Sequence, residues 1–283
     1  MNALHLCCLA RAGLPAPSRQ VGTASARETP DVSVVEVDGL AAIATPVALE
    51  AFSGAAGERN LQDPAWLIPR ACAHEEAIEA VMQAGPVLPV RFGAVFSSRD
   101  ALADFVAAHG RDIRRFLNYV ADKEEWGVKV FGDLGRMREH LLAADPAFAE
   151  RRRRLPATPG ARYFQEKRLA ADADRAVRLR CRAAAEEVQA AVHGAVVDLC
   201  RLRVQANPQS ATRSSETPTG VRNPQSMEMV LNLAVLVHRE RIADFRRQVE
   251  RLAAGRSEQG MSMTASGPWP PFNFCPALGG PDE

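Results

Sequence analysis

The sequence predicts an α+β protein built as two domains, residues 1–121 and 122–283. Three observations carry this. Up to Val120 the chain orders itself as strand, hairpin, helix, strand and helix, the succession expected of a ferredoxin-like sandwich. A new strand, "EEWGVKVFGD" (Glu124 to Asp133), then opens a second run of elements. The strongest helical rhythm in the chain and a polar, proline-bearing linker both fall in that second run.

In the first domain, "ALHLCCLA" (Ala3 to Ala10) is short and apolar, as a buried strand needs. The stretch that follows, residues 11–30, holds Pro15, Pro17 and Pro30 without periodicity and reads as a connector. Asp38-Gly39 lies between two β-compatible runs and supplies the positive φ angles of a two-residue type I′ turn, which predicts a hairpin. Residues Arg70 to Ala84 set Ala71, Ile78, Val81 and Met82 on one helical face and stop at Gly85-Pro86. "PVLPVRFGAVF" is a strand whose Pro89 lacks an N–H and so belongs at a strand start or sheet edge. Ser98 and Asp100 are candidate caps for a helix through Leu102, Phe105, Val106, Ile113, Phe116 and Leu117, ending near Val120.

In the second domain the first strand places Trp126, Val128 and Val130 on one face, and Asp133 can cap the helix "LGRMREHLLAAD". From about residue 161 to 205, Val177, Cys181, Ala184, Val188, Ala191, Ala195, Leu199 and Leu202 recur at spacings of three and four, close to a coiled-coil seam. At 1.5 Å per residue this is one helix of about 60 Å, interrupted only by Gly194. Residues 206–226 are polar and read as a mobile linker. A strand "MEMVLNLAVLVHR", a helix "ERIADFRRQVERLAAG" ended by Gly255, and a strand "GMSMTASG" complete a second sheet.

Composition excludes several function classes. The 283 residues are 47% hydrophobic and 24% charged, with 35 basic against 34 acidic side chains, so bulk charge draws the chain to neither nucleic acid nor lipid. Apolar runs are far shorter than the roughly 20 residues of a membrane span. The N-terminus lacks a basic region and a small-residue cleavage site, which argues against a secretory signal and for a cytoplasmic protein. Six scattered cysteines form no C-x-x-C pair, so buried reduced thiols are expected, with no structural metal and no cofactor. No H-E-x-x-H, G-x-G-x-x-G or Walker A pattern is present, and no catalytic residue is assigned.

Some side chains invite a functional reading. His74 beside Glu75 and Glu76 reads first as a surface or capping histidine of a helix. Arg91, placed between Val90 and Phe92, reads as a buried guanidinium paired with Glu75 or Glu76, or as an anion or partner site. An enzyme with His74, Glu75 and Arg91 in one cleft is the rival from another class. The run Arg151–Arg154 belongs to an arm, residues 151–206, with thirteen basic against six acidic residues, but only Tyr163 and Phe164 are there to stack on bases. A solvated face or an acidic partner explains it better than nucleic acid. In "SGPWPPFNF" (Ser266 to Phe274) three prolines stiffen a backbone carrying Trp269, Phe272 and Phe274, which reads as an aromatic lid on the C-terminal domain.

Four blocks in order, "AHEEAIEAVMQAGPVLPVRFGAVFSS" (Ala73 to Ser98), "EEWGVKVFGD" (Glu124 to Asp133), "PGARYFQEKR" (Pro159 to Arg168) and "SGPWPPFNF", resemble the gas vesicle protein F and L family. That resemblance implies a modified ferredoxin-like N-terminal domain and an α+β C-terminal domain with long, coiled-coil-like helices. It also implies a minor, non-enzymatic component of gas vesicle assembly that binds the small hydrophobic shell protein GvpA, prevents its aggregation and helps nucleation. Partner-binding or structural candidates on this reading are Arg91, Glu75, Trp126, Trp269, Phe272 and Phe274. The loop at residues 11–30 and the 206–226 linker depart from the family pattern.

Overall fold

The computed structural model describes residues 2–14, 32–204, 227–257 and 259–279, so the 206–226 linker and most of the loop at 11–30 lie outside the described residues. Helix and sheet are mixed throughout, and the chain gathers into two units, Met1–Glu124 with Pro268–Glu283, and Glu125–Gly267.

The first unit holds β1 (Asn2–Arg11), β2 (Ser33–Val37), β3 (Leu40–Ala48), α1 (Gly54–Gln62), α2 (Pro64–Ala84), β4 (Val87–Pro89), β5 (Val95–Phe96) and α3 (Arg99–Val120). Its sheet runs β2-β3-β1-β4, with β5 also paired to β1. Asp38 (φ 49°) and Gly39 (φ 77°) form the expected turn, and Val37 pairs with Leu40 across it. Strand β1 is antiparallel to β3, with a bulge between Leu6 and Cys8. It packs against both α2 and α3, and Ala3 and His5 to Ala10 are buried whichever face they point to. The sequence's single strand at 86–96 is instead two short ones. Pro89 closes β4 at the sheet edge, where its missing N–H leaves no ladder bond unmade.

Helix α2 starts earlier than the sequence suggests. The Asp63 side chain accepts from the Ala65 N–H at 3.0 Å and Pro64 takes the first turn, so the helix carries Pro69 inside it. Its buried face is His74, Ala77, Ile78 and Val81. Ser98 caps α3 by accepting from Ala101 N–H at 3.1 Å. Helix α1 has no apolar rhythm and went unforeseen.

The second unit comprises β6 (Lys123–Gly132), α4 (Leu134–Ala144), α5 (Pro146–Arg153), α6 (Pro159–His193), β7 (Asp198–Arg201), β8 (Glu228–His238), α7 (Ile242–Ser257) and β9 (Met261–Trp269), with the ends of β6 and β9 crossing its limits. Its sheet runs β7-β8-β6-β9. Asp133 caps α4 through Arg136 N–H at 3.0 Å. Trp126, Val128 and Val130 lie in a core with Phe245, Val249, Leu231 and Leu233.

The long helix is shorter than its rhythm implied. It ends at His193, with Gly194 as its C-cap, and Leu199 lies in β7, whose backbone pairs with β8. The buried stripe of α6 is Leu169, Ala173, Val177, Cys181, Ala185, Val188 and Val192 rather than the seam through Ala184 and Ala191. This face packs on α4, α5, α7 and β8, so small residues serve helix-on-sheet packing as well as helix contact. In β9, Gly267 (φ 151°) is required. A Cβ there would sit 2.9 Å from the Trp126 ring.

Candidate functional site

The C-terminal tail borders a concavity of the first unit. After Trp269 the chain turns through a short 3-10 segment, Phe272–Phe274, with Phe272 N–H donating to Pro270 C=O at 2.7 Å. The Cys275 thiol donates to Pro271 C=O at 3.3 Å and lies 3.6 Å from Pro89 C=O, tying the tail to β4. Between tail and sheet is an open cavity of about 450 Å³. Leu6, Leu88, Phe96 and Phe105 line it together with Phe272, Pro276 and Leu278 of the tail. Arg91 is the one charged residue among the described residues that line it. A second, smaller hollow of about 310 Å³ has Phe274 and Pro276 facing Phe116, Tyr119, Asp112 and Arg115. The tail thus borders two hollows, an apolar one edged by Arg91 and one that also presents Asp112 and Arg115.

This corrects the expected lid on the C-terminal domain. Phe272 packs on the core of the first unit, Pro270 and Pro271 are the buried residues of the motif, and Trp269 is 46% exposed. Stiff prolines dock with little loss of entropy, which lets them take the inner position and leaves the indole outside. Trp126 is a core residue of the second unit, 7% exposed and edge-on to Phe245 with ring centroids 6.2 Å apart.

Arg91 is exposed, in the turn after β4, and pairs with no carboxylate among the described residues. The expected internal ion pair with Glu75 or Glu76 is therefore absent, because both glutamates point to solvent from α2. Desolvation, and then Glu79, hold the Glu75 carboxyl above its usual range. His74, expected at the surface, is 3% exposed. Neither His74 nor Glu75 lines the cavity that Arg91 borders, so His74, Glu75 and Arg91 do not share a cleft.

His74 belongs instead to a buried aromatic cluster. Its Nε2–H donates to Val90 C=O at 2.8 Å, and its ring lies 4.9 Å from that of His5 on β1. Gly93 N–H donates to His5 Nε2 at 3.0 Å, and Phe52 and Phe92 pack on the His5 ring at 5.3 and 4.7 Å. Burial, and then the neighbouring imidazole, lower His5 to about 4, so it is neutral at physiological pH. Burial also lowers His74, against the pull of its bond to Val90. His74 Nδ1 has no hydrogen-bond partner among the described residues, a cost of about 1–3 kcal/mol in a buried polar group. No local spacing announced this cluster, since His5 and His74 come from a strand and a helix far apart in sequence.

On the second unit, Tyr163 and Phe164 at the start of α6 are 61% and 69% exposed and stand edge-to-face at 5.8 Å. The basic run Arg151–Arg154 is laced with carboxylates. Arg151 pairs with Asp172 at 2.7 Å, and Arg153 and Arg154 both reach Glu150, at 3.1 and 2.7 Å. Such pairs partly neutralise the phosphate-binding potential of the run.

Residues 4–276 match the family model described as gas vesicle synthesis protein GvpL/GvpF. The chain belongs to the GvpL/GvpF family. This GvpL/GvpF chain is 27% identical to gas vesicle protein L2 of Halobacterium salinarum over 93% of its own length and 88% of that protein's. It is 31% identical to gas vesicle protein L of a Streptomyces species, covering 83% and 80% of the two chains. In fold it resembles the crystal structure of gas vesicle protein GvpF from an Anabaena species, with a TM-score of 0.63, 16% identity, and coverage of 98% and 99%. No helix among the described residues is long and apolar enough to cross a membrane.

Proposed function

We propose that this protein is a non-enzymatic assembly factor of the gas vesicle that binds the hydrophobic shell protein GvpA, keeps it from aggregating and helps nucleation. The observation that carries this reading is the family match over residues 4–276. The physical means is the tail-lined hollow of the first unit. It offers aromatic and aliphatic side chains to an apolar segment, with the Arg91 guanidinium to meet a carboxylate or a chain end. Each 100 Å² of apolar surface removed from water there stabilises the complex by about 2.5 kcal/mol before the entropy of association is subtracted. The exposed pair Tyr163–Phe164 is a second contact for the same partner or for another vesicle protein. We also read each sheet as a ferredoxin-like variant, since both follow one strand order.

The test is co-expression of GvpA with the full chain, followed by affinity capture and light scattering. The reading expects GvpA to be captured and its aggregation suppressed. Absence of capture, with aggregation unchanged, would contradict it.

A further inference from the structure

We propose that His5, Cys7 and His74 form a buried site for one thiophilic metal ion of low coordination number, zinc(II) or copper(I). Their ligand atoms already lie within 4.8 Å of one another, and all three residues are buried. The proposal stands independently of GvpA binding.

The site follows from the fold of the first unit. On β1, His5 and Cys7 are two residues apart, and the bulge between Leu6 and Cys8 leaves Cys7 outside the β1–β3 register. A bulge is a usual means of re-aiming a side chain at a functional site. Helix α2 brings His74 to the same place, with the two imidazole centroids 4.9 Å apart. The arrangement of His74 is the one found for a metal-bound histidine. One ring nitrogen, Nε2, donates to a backbone carbonyl, Val90 C=O, which fixes the tautomer and leaves Nδ1 with a free lone pair. That lone pair is buried and has no partner among the described residues.

The donor set decides the class of ion. Two imidazoles and one thiolate, with no carboxylate in the group, suit zinc or copper(I) and not magnesium or calcium. Both imidazoles are kept neutral by burial and so need lose no proton to bind. The Cys7 thiol does lose one, which passes to solvent, and no oxidation state changes. Burial pushes that thiol up to about 12, an obstacle that the Thr45 hydroxyl partly offsets and that a metal overcomes by binding the thiolate. Ligation by His5 through either nitrogen also ends its bond from Gly93 N–H. Taking Nε2 displaces the amide, and taking Nδ1 moves the ring proton onto Nε2. Gly93 lies in an exposed turn that can yield.

The test uses the full chain, stripped with chelator and titrated with cobalt(II), then with zinc(II), and separately with copper(I). The expected result is one equivalent of cobalt with a thiolate-to-metal charge-transfer band, bleached by zinc. Cys7→Ser should lose the band and Cys72→Ser, at an exposed thiol, should keep it. His74→Gln should weaken binding at least about 10-fold, the loss that removal of a mere outer partner produces. Circular dichroism reports whether each variant folds. Should Cys7→Ser not fold, the wild-type Gly93 amide decides, since its hydrogen exchange must accelerate with metal. No stoichiometric binding, a band that survives Cys7→Ser but not Cys72→Ser, or an unaltered Gly93 amide overturns the proposal.

Discussion

The two units share a sheet order and fill it differently. In the first, the strand flanked by β3 and β4 is β1, which brings His5, Cys7 and Cys8 into the interior. In the second, the equivalent strand is β6, with Trp126, Val128 and Val130. Of the described residues that are both polar and buried, His5, Thr45 and His74 lie in the first unit and Glu125 alone in the second. One strand order therefore supports two kinds of interior. Aliphatic and aromatic packing makes the second a scaffold for the long α6, whereas the first carries unsatisfied imidazole chemistry and an apolar hollow behind its tail.

If the second unit is held by packing alone, a cavity in its core should have the largest effect. Phe245→Ala removes a 1%-exposed ring beside Trp126 and should destabilise the protein by about 3–5 kcal/mol, measured by urea unfolding followed through tryptophan fluorescence. A loss under about 1 kcal/mol would mean that the core repacks and the contrast is weaker than drawn.

The imidazoles should give the first unit a pH dependence between 6.5 and about 4. Folding lowers the affinity of His5 and His74 for protons, so protonation favours the unfolded chain. Their contribution is complete above 6.5 and is lost as pH falls toward about 4, amounting to about 3 kcal/mol for His5. Melting of metal-stripped protein through this range should show that slope in the wild type and a shallower one in His5→Asn. Equal slopes would remove the buried imidazole from the account.

Smaller effects test the chain's turns and tail. Gly39→Ala should cost about 1–2 kcal/mol, because alanine is strained at a φ of 77°. Trp269→Ala should cost about 1 kcal/mol or less, since the indole is half exposed. A loss of several kcal/mol there would restore the lid that the motif first suggested.

Local signals made much of this architecture legible. Asp38-Gly39 fixes the hairpin, Ser98 and Asp133 fix two helix starts, and Pro89 marks an edge. The misreadings came where a local rule met a tertiary one. The alanine-rich rhythm ran on past Gly194 into β7, because spacings of three and four continue there by chance while backbone pairing to β8 decides the structure. The apolar spacing from Ala71 missed the first turns of α2, which the Asp63 cap and Pro64 begin. Arg91 looked buried because its neighbours are apolar, yet a two-strand break turns it outward. Of the site, Phe272 and Phe274 were legible as docking aromatics. Their place on the first unit, and the partnership of His5 with His74, depend on contacts between segments that no spacing rule connects.

The central claim, that the tail-lined hollow of the first unit receives the shell protein, is tested most directly by GvpA capture with Leu278→Asp. This change sets a carboxylate among the apolar residues of the hollow. The expected result is a melting temperature like that of the wild type and a loss of capture of about 10-fold or more, with Tyr163→Ser/Phe164→Ser keeping most of it. Full capture by Leu278→Asp, with capture lost in the Tyr163/Phe164 variant, would contradict it and move the binding surface to the second unit.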